Sequence, residues 1–564
     1  MLALNPDIKY TGDMNILDLF RRKPEPLPPP RSVTAKRTLN TSEYDAFLGM
    51  FREHQTNSLH ACLDAKIGQI SLPTGTGKTY VQMALHIQDM IEKSQTGESG
   101  VYVISAHRIL LCTQLRQQLQ NYLTDIGIEY DWVSLNSSKE DPIEDIQRQK
   151  DRPNVSDNAY ALNKHTIAGV STTSSDEVLD AYNKAKANKR HLLIVCTYHS
   201  FDRMSKLPKI DIITYDEAHQ IENDQFKNNV GKIKHLIDRE YFFTATRRTE
   251  GDTGGMNDPE FYGDLLHSES PRTMIERGEI VRPVIHAIKL PEEARGDFQN
   301  TSMVVQSVGE GFIRHHEMVK EHSKYPDMIG AKIVVSTLGN DDLTDIVTNV
   351  AFQDWAKRNV IEVFSFSSDK GYFHNFESVN RKQAFERMQN LTSEQNAILL
   401  HIDILSEGID IPSITGFMPL RNVSDIKLTQ SIGRAGRLHP FDRQRLYDNI
   451  ITPDQLEEFV KPCYYVILPE FLVRADTRKM EKFIGDMLNT YDLKPFELPY
   501  IDEFYSTPDE ILPKVTDADS TRNRDDVSKL EHILRTIMKE QIVVALNDAS
   551  DDEILEYLEG IGNA

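Results

Sequence analysis

Cysteine is scarce in this chain. Its 564 residues include four, Cys62, Cys112, Cys196 and Cys463, far apart and without any Cys-x-x-Cys spacing. That pattern excludes a disulfide framework and gives no support to a structural zinc site, so four reduced, buried thiols are expected. Long apolar runs are missing too, since none approaches the roughly 18 residues a membrane helix needs. The opening residues, Met1-Leu-Ala-Leu-Asn-Pro-Asp7, hold no basic stretch followed by an apolar one, so no secretory signal is expected. These absences predict a soluble, cytoplasmic protein. Positive charge is also in deficit: 86 acidic residues face 64 basic ones, a net charge of -22. A surface coated in positive charge for nucleic acid is thereby excluded, but a local basic track is not. The excess is uneven, with 19 acidic and 7 basic side chains in residues 485–564.

What is present is a globular composition, 39% hydrophobic and 27% charged. At roughly 100–200 residues per domain, the length corresponds to about three to four domains. Residues 1–40 read as an extension, because Lys23-Pro-Glu-Pro-Leu-Pro-Pro-Pro30 is a stiff linker that cannot be helical. From residue 41 helical segments alternate with short apolar runs: Gln69–Leu72, Val101–Ser105, Leu192–Thr197 and Ile210–Tyr215. A second set begins near residue 284, with Ala331–Thr337, Ile361–Phe366, Ala397–His401 and Tyr464–Leu468. Buried β-branched runs separated by helices predict two consecutive α/β units with parallel sheets, spanning 41–283 and 284–475. The polar stretch 133–190 reads as an insertion in the first, and 476–564 as an acidic region with a helix over Asp526–Leu546.

Three segments carry chemistry. Ser71-Leu-Pro-Thr-Gly-Thr-Gly-Lys-Thr79 follows a strand and precedes the amphipathic run Tyr80–Glu92. Pro73, Thr74, Gly75, Thr76 and Gly77 would wrap phosphate oxygens with backbone N–H groups, at a helix N-terminus that adds partial positive charge. Lys78 would reach the β- and γ-phosphates, and the Thr79 hydroxyl would bind Mg²⁺. The strict phosphate-loop pattern wants glycine where this chain has Leu72. Asp216-Glu-Ala-His219 ends the strand Ile210–Tyr215. There Asp216 would hold the metal's water shell and Glu217 would orient and deprotonate the attacking water. Gln430-Ser-Ile-Gly-Arg-Ala-Gly-Arg437 places Arg434 and Arg437 three apart, on one helix face, as arginine fingers.

In this order the sites resemble those of superfamily 2 helicases and translocases over about residues 41–470. The branch most similar contains phage recombination helicases, DNA-repair helicases and the motor subunits of type I and III restriction enzymes. Further segments match its motifs in sequence. Phe51-Arg-Glu-His-Gln55 resembles the adenine-sensing element, with Gln55 in the matching place. Ile104-Ser-Ala-His-Arg108 and Cys196-Thr-Tyr-His-Ser200 resemble strand-contacting motifs, and Thr244-Ala-Thr246 resembles the element that links ATP state to nucleic acid. Met274–Pro283 resembles the crossover into the second domain. Ile404-Leu-Ser-Glu-Gly-Ile-Asp-Ile-Pro412 resembles the fifth motif. Arg247 and Arg248 stand where proline is common.

The resemblance implies two RecA-like domains with ATP·Mg²⁺ bound in the cleft between them. It implies nucleotide contacts from Gln55, Gly408 and Asp410, and a catalytic part for Gln430. His219, Thr244 and Thr246 would couple hydrolysis to movement. The track would be contacted by Arg108, Thr197, Thr337 and Ser406, mostly on phosphates. DNA is the favoured partner; an RNA helicase, a duplex translocase and an inactive ATP-binding scaffold are the alternatives. The intact Lys78, Asp216, Glu217 and Arg437 argue against the scaffold, and no nuclease pattern stands out, so a restriction motor would need a partner.

Near the start, Ile16-Leu-Asp-Leu-Phe20 resembles the peptide with which replication and repair proteins dock on a sliding clamp, with Ile16 where that pattern has glutamine. Because the pattern is so short, the preferred reading is a small apolar patch that tucks onto the first domain. A docking peptide predicts that immobilised clamp retains the wild-type chain and releases the Leu19→Ala/Phe20→Ala variant. Equal behaviour of the two chains assigns the cluster to the patch.

Overall fold

The computed structural model describes residues 39–107, 109–136, 169–251, 254–288, 296–298, 301–337, 339–367, 369–402, 413–420 and 435–469. Two helices, α1 (Thr41–Gly49) and α2 (Glu53–Leu63), lead into the first sheet. Its strands are β1 (Ile67–Ser71), β2 (Val101–Ala106), β3 (Tyr130–Leu135), β4 (Gly169–Thr172), β5 (His191–Thr197), β6 (Ile210–Asp216) and β7 (Ile237–Thr244). Two-residue strands β8 (Thr249–Glu250) and β9 (Gly254–Gly255) form a separate ladder, and β10 (Asp264–Ser268) returns to the sheet. The order is β10-β1-β7-β6-β2-β5-β3-β4, parallel throughout. A parallel sheet needs cover on both faces, which is why β2, β3, β5 and β6 are buried along their whole length. Helices α3 (Lys78–Thr96) and α4 (Ile109–Ile126) supply part of that cover.

The second sheet contains β11 (Arg282–Ile288), β12 (Lys332–Ser336), β13 (Ile361–Ser367), β14 (Gly371–His374), β15 (Glu377–Val379), β16 (Asn396–His401), β17 (Gly416–Pro419) and β18 (Cys463–Pro469). Its order is β11-β18-β17-β12-β16-β13-β14-β15, parallel except for the antiparallel edge made by β14 and β15. These are two RecA-like α/β units, as the alternation of apolar runs and helices predicts.

All eight expected strands are present, within a residue or two at each end. Several others escaped the sequence pattern, among them β3, β4, β7, β10, β14, β15 and β17. Part of the expected insertion is also corrected. Residues 133–135 complete β3, 169–172 form β4, and Ser175–Ala187 is a helix packed on β3 and β5. The polar residues of that helix face away from the sheet, with Val178 and Ala185 buried, so its weak apolar period hid a covering helix. The interior of the stretch, the proline-rich linker, the Ile16–Phe20 cluster and the helix expected over Asp526–Leu546 lie outside the described residues.

All four cysteines are free and buried. No helix among the described residues is long and apolar enough to cross a membrane. The first core is densely aromatic: Phe242 of β7 stacks on Tyr215 of β6 with centroids 4.5 Å apart, and Tyr262 closes on its edge at 4.9 Å. Phe242→Ala removes a fully buried ring from the middle of the sheet, so it should cost about 3–5 kcal/mol. Denaturant unfolding followed by tryptophan fluorescence (Trp132 lies in this sheet) checks this; an unmoved midpoint would contradict the packing described.

Candidate nucleotide cleft

The site grows out of the register of three neighbouring strands. Ser71 at the end of β1 pairs with Thr244 of β7, and Asp216 at the end of β6 pairs with Phe243. The segments that leave these strands therefore begin in one row at the carboxyl edge, where open α/β sheets place their ligands. From β1 the chain turns through Gly75 and Gly77, both at φ +88°. At Gly77 a side chain is excluded twice, by the left-handed backbone and by Gln55, whose Nε2 a Cβ would meet at 2.0 Å. Thr76 Oγ1 donates to the Pro73 carbonyl at 2.7 Å, and α3 begins at Lys78.

Gln55 lies against this loop. Its Nε2 donates to the Thr76 carbonyl at 3.0 Å, while its Oε1 accepts the Arg52 N–H at 2.9 Å. His54 Nε2 reaches the same carbonyl at 2.8 Å. The adenine-sensing candidate is thus also a brace for the phosphate loop. Lys78 is buried, and its Nζ donates to the carbonyls of Leu72 at 2.8 Å and Pro73 at 3.3 Å. Burial lowers the Lys78 ammonium, while Glu217 and Asp216 pull it back up. The carboxyl of Asp216 is raised by burial and by Glu217 beside it; Lys78 and the Gln82 amide, 2.9 Å from Oδ1, oppose the shift. Glu217 itself takes a left-handed backbone, φ 55° and ψ 47°, which turns the chain sharply between β6 and the 3-10 turn Ala218–Glu222.

Behind Glu217 runs a buried chain of polar groups. His219 Nδ1 is 3.6 Å from Glu217 Oε2 and 2.9 Å from Thr244 Oγ1. Thr244 Oγ1 donates to the Thr246 carbonyl at 2.8 Å and accepts the Thr246 N–H at 3.2 Å. With its one hydrogen used there, Thr244 accepts from His219, which places the imidazole proton on Nδ1. The Gln220 amide, 2.9 Å from Nε2, then donates to the other nitrogen. The three residues expected to couple ATP state to movement are therefore in direct contact. Next to them Arg247, where proline is common, grips Gln69 Oε1 at 3.0 Å and Asn257 Oδ1 at 2.9 Å, tying the loop after β7 to β1.

Arg437 approaches from the second unit. It pairs with Ile280 in an isolated antiparallel bridge and is half-buried. Burial lowers its guanidinium, and Arg443 adds repulsion. A cleft of about 390 Å³ is lined by Thr74, Lys78 and Thr79 of the loop and α3, by Asp216 and Glu217, and by Arg437. The donor set fits a triphosphate with a divalent cation. Glycine N–H groups, an ammonium and a guanidinium meet the phosphates, and the Thr79 hydroxyl and paired carboxylates meet the metal. The buried Thr74 Oγ1, which has no hydrogen-bond partner, adds a polar atom to the wall. Arg443, on the helix Pro440–Tyr447, lines the same cleft and went unnoticed in the sequence, where Asp442-Arg-Gln-Arg445 reads as an ordinary charged helix face.

The expected track residues divide. Thr197 ends β5, nearly buried, with Oγ1 3.2 Å from Ser200 Oγ. Thr337 is a correction: it follows β12 as expected, but it is fully buried and its hydroxyl donates to the His401 carbonyl at 3.3 Å. A side chain so placed presents no hydroxyl to a passing strand. Arg108, Ser406, Gly408, Asp410, Gln430 and Arg434 lie outside the described residues.

Residues 48–248 match the family described as type III restriction enzyme, res subunit. The chain is similar in structure to the ATP-dependent type ISP restriction-modification enzyme LlaBIII bound to DNA, with 15% identity and a TM-score of 0.54, covering 86% of this chain and 33% of that one. A nuclease-deletion mutant of the type ISP enzyme LlaGI, in complex with a DNA substrate mimic, gives 14% identity and a TM-score of 0.51, covering 86% and 31%. The chain thus spans about a third of the length of these enzymes. No curated protein matches it. At such identities the structural likeness is one of fold. The paired RecA-like sheets, with the restriction-subunit match in the first, give the chain a helicase-like fold that resembles those of superfamily 2 helicases and of restriction-enzyme motor subunits.

Proposed function

We propose that the chain is an ATP-dependent DNA helicase or translocase. Its working units are residues 41–283 and 284–475, and it acts in replication, recombination or repair. The observation that carries this reading is Arg437 of the second unit lining one cleft with Lys78, Asp216 and Glu217 of the first. An ATP site that needs both units couples their approach to hydrolysis, which is what a motor requires.

In this reading the backbone of 74–77 and Lys78 hold the phosphates. Thr79 and Asp216 hold Mg²⁺, largely through water; the metal, when bound, neutralises phosphate charge. Glu217 orients the attacking water and takes its proton, and Arg437 stabilises charge that develops on the γ-phosphate. Gln55, Gly408 and Asp410 complete the nucleotide contacts, and Gln430 and Arg434, the second arginine finger, join Arg437 in catalysis. The chain Glu217–His219–Thr244–Thr246 reports the state of the cleft to the loop after β7. Arg108, Thr197 and Ser406 contact the strand.

DNA is favoured over RNA by two features: the restriction-subunit match and the binding of DNA by the two fold relatives. The same features support a second reading, a translocase that moves duplex without separating it.

Lys78→Ala and Glu217→Gln should each abolish ATP turnover, measured as phosphate release. Near-normal turnover in Glu217→Gln would remove the general-base assignment. Wild-type ATPase should rise on adding nucleic acid, and the gain should fall steeply with salt as phosphate contacts are screened. Comparing single-stranded DNA, duplex, fork, four-way junction and RNA tests the substrate; a rate indifferent to all of them would overturn the motor reading.

A further inference from the structure

Beneath Arg437 lies a buried cation with no part in the chemistry above. Lys461 precedes β18 and is 1% exposed. Its Nζ donates to the carbonyl of Ala435 at 2.5 Å and to that of Arg437 at 2.7 Å. The carbonyl between them, Gly436, accepts the N–H of Val281 at 2.7 Å. Three successive carbonyls are therefore taken, two by one ammonium and one by the segment that crosses between the sheets. The lysine is itself held. Asp442, buried in the first turn of the helix Pro440–Tyr447, accepts the Val460 N–H at 2.8 Å and the Lys461 N–H at 2.9 Å.

The cost of this arrangement indicates its purpose. Burial pushes the Lys461 ammonium down to about 7, with Lys332 and Arg437 repelling it and Cys463 and Asp442 offsetting them. An apolar side chain of similar length would fill the space without that penalty. What the amine adds is a pair of N–H donors gripping the backbone from which Arg437 projects. An arginine finger must hold its guanidinium within a fraction of an ångström of where charge develops, so its backbone has to be fixed before the cleft closes.

The geometry points to Lys461 as a positioning residue for Arg437, a clamp that sets the arginine finger through its main chain. This rests on the arginine-finger reading above. A group that matters only in the transition state moves kcat and leaves KM alone. Lys461→Met should therefore lower kcat for ATP by about tenfold, the size of a lost hydrogen bond, with KM unchanged. Lys461→Arg, which keeps charge and donors, should recover most of that loss; a merely structural lysine would show no such rescue. In an Arg437→Ala background Lys461→Met should add no further loss, since both changes remove the same stabilisation. Wild-type kcat in Lys461→Met, or full additivity with Arg437→Ala, would overturn the inference. Should Lys461→Met not fold, Asp442→Asn loosens the loop that carries the lysine; it should lower kcat at unchanged KM, and a wild-type kcat there would equally overturn the clamp. If Arg437→Ala alone keeps wild-type kcat, it is the arginine-finger reading that fails.

Discussion

The cleft depends on a balance among four charges, Lys78 and Asp216 buried and Glu217 and Arg437 half-buried beside them. Lys78 and Arg437 are both lowered by burial, and Asp216 is raised by burial and by Glu217. Two cations and two carboxylates in a low-dielectric space partly neutralise one another, and each makes the others tolerable. They come from elements far apart in the chain, so the balance exists only when the two units meet. A ligand bringing both phosphate negative charge and a divalent cation would shift it strongly, because every group present has a partner to gain or lose. In the proposed motor, that sensitivity would convert nucleotide state into domain position.

Rigid supports surround this balance. Gln55 and His54 share the Thr76 carbonyl beneath the phosphate loop. Glu217 is aimed by a left-handed turn, and Arg437 by backbone bonds on both sides. The crossover is part of the same framework: Glu279 pairs with Arg52 of the first unit, and Ile280 and Val281 pair with the arginine segment. One short segment thus touches both walls. Movement of one wall is felt by the other through main-chain hydrogen bonds, which have discrete rather than graded arrangements.

Much of the fold was legible because its signal is local. An apolar run between helical segments reads as a buried parallel strand at β1, β2, β5, β6, β12, β13, β16 and β18. Where the signal weakened, the reading failed for physical reasons. β3 and β4 sit beside a polar stretch and alternate little; β7 mixes charged residues such as Asp238, Arg239 and Glu240 into its first half. Arg239 is satisfied by Asp89, 150 residues away, which no window of residues reveals, and Glu240 by Lys234 across a turn.

The nucleotide site divides in the same way. The sequence by itself marked the loop, the Asp216-Glu217 pair and the arginine at 437, which line one cleft, because phosphate and metal chemistry would demand particular residue types at fixed short spacings. It also suggested His219, Thr244 and Thr246 as partners, which lie in contact. Only the tertiary structure decided that Thr337 turns its hydroxyl inward to His401, that Gln55 braces the loop, and that Arg443 shares the cleft. Lys461 had no motif to mark it. Its role comes from donors meeting carbonyls 24 and 26 residues earlier in the chain, and such a meeting is set by packing rather than by spacing.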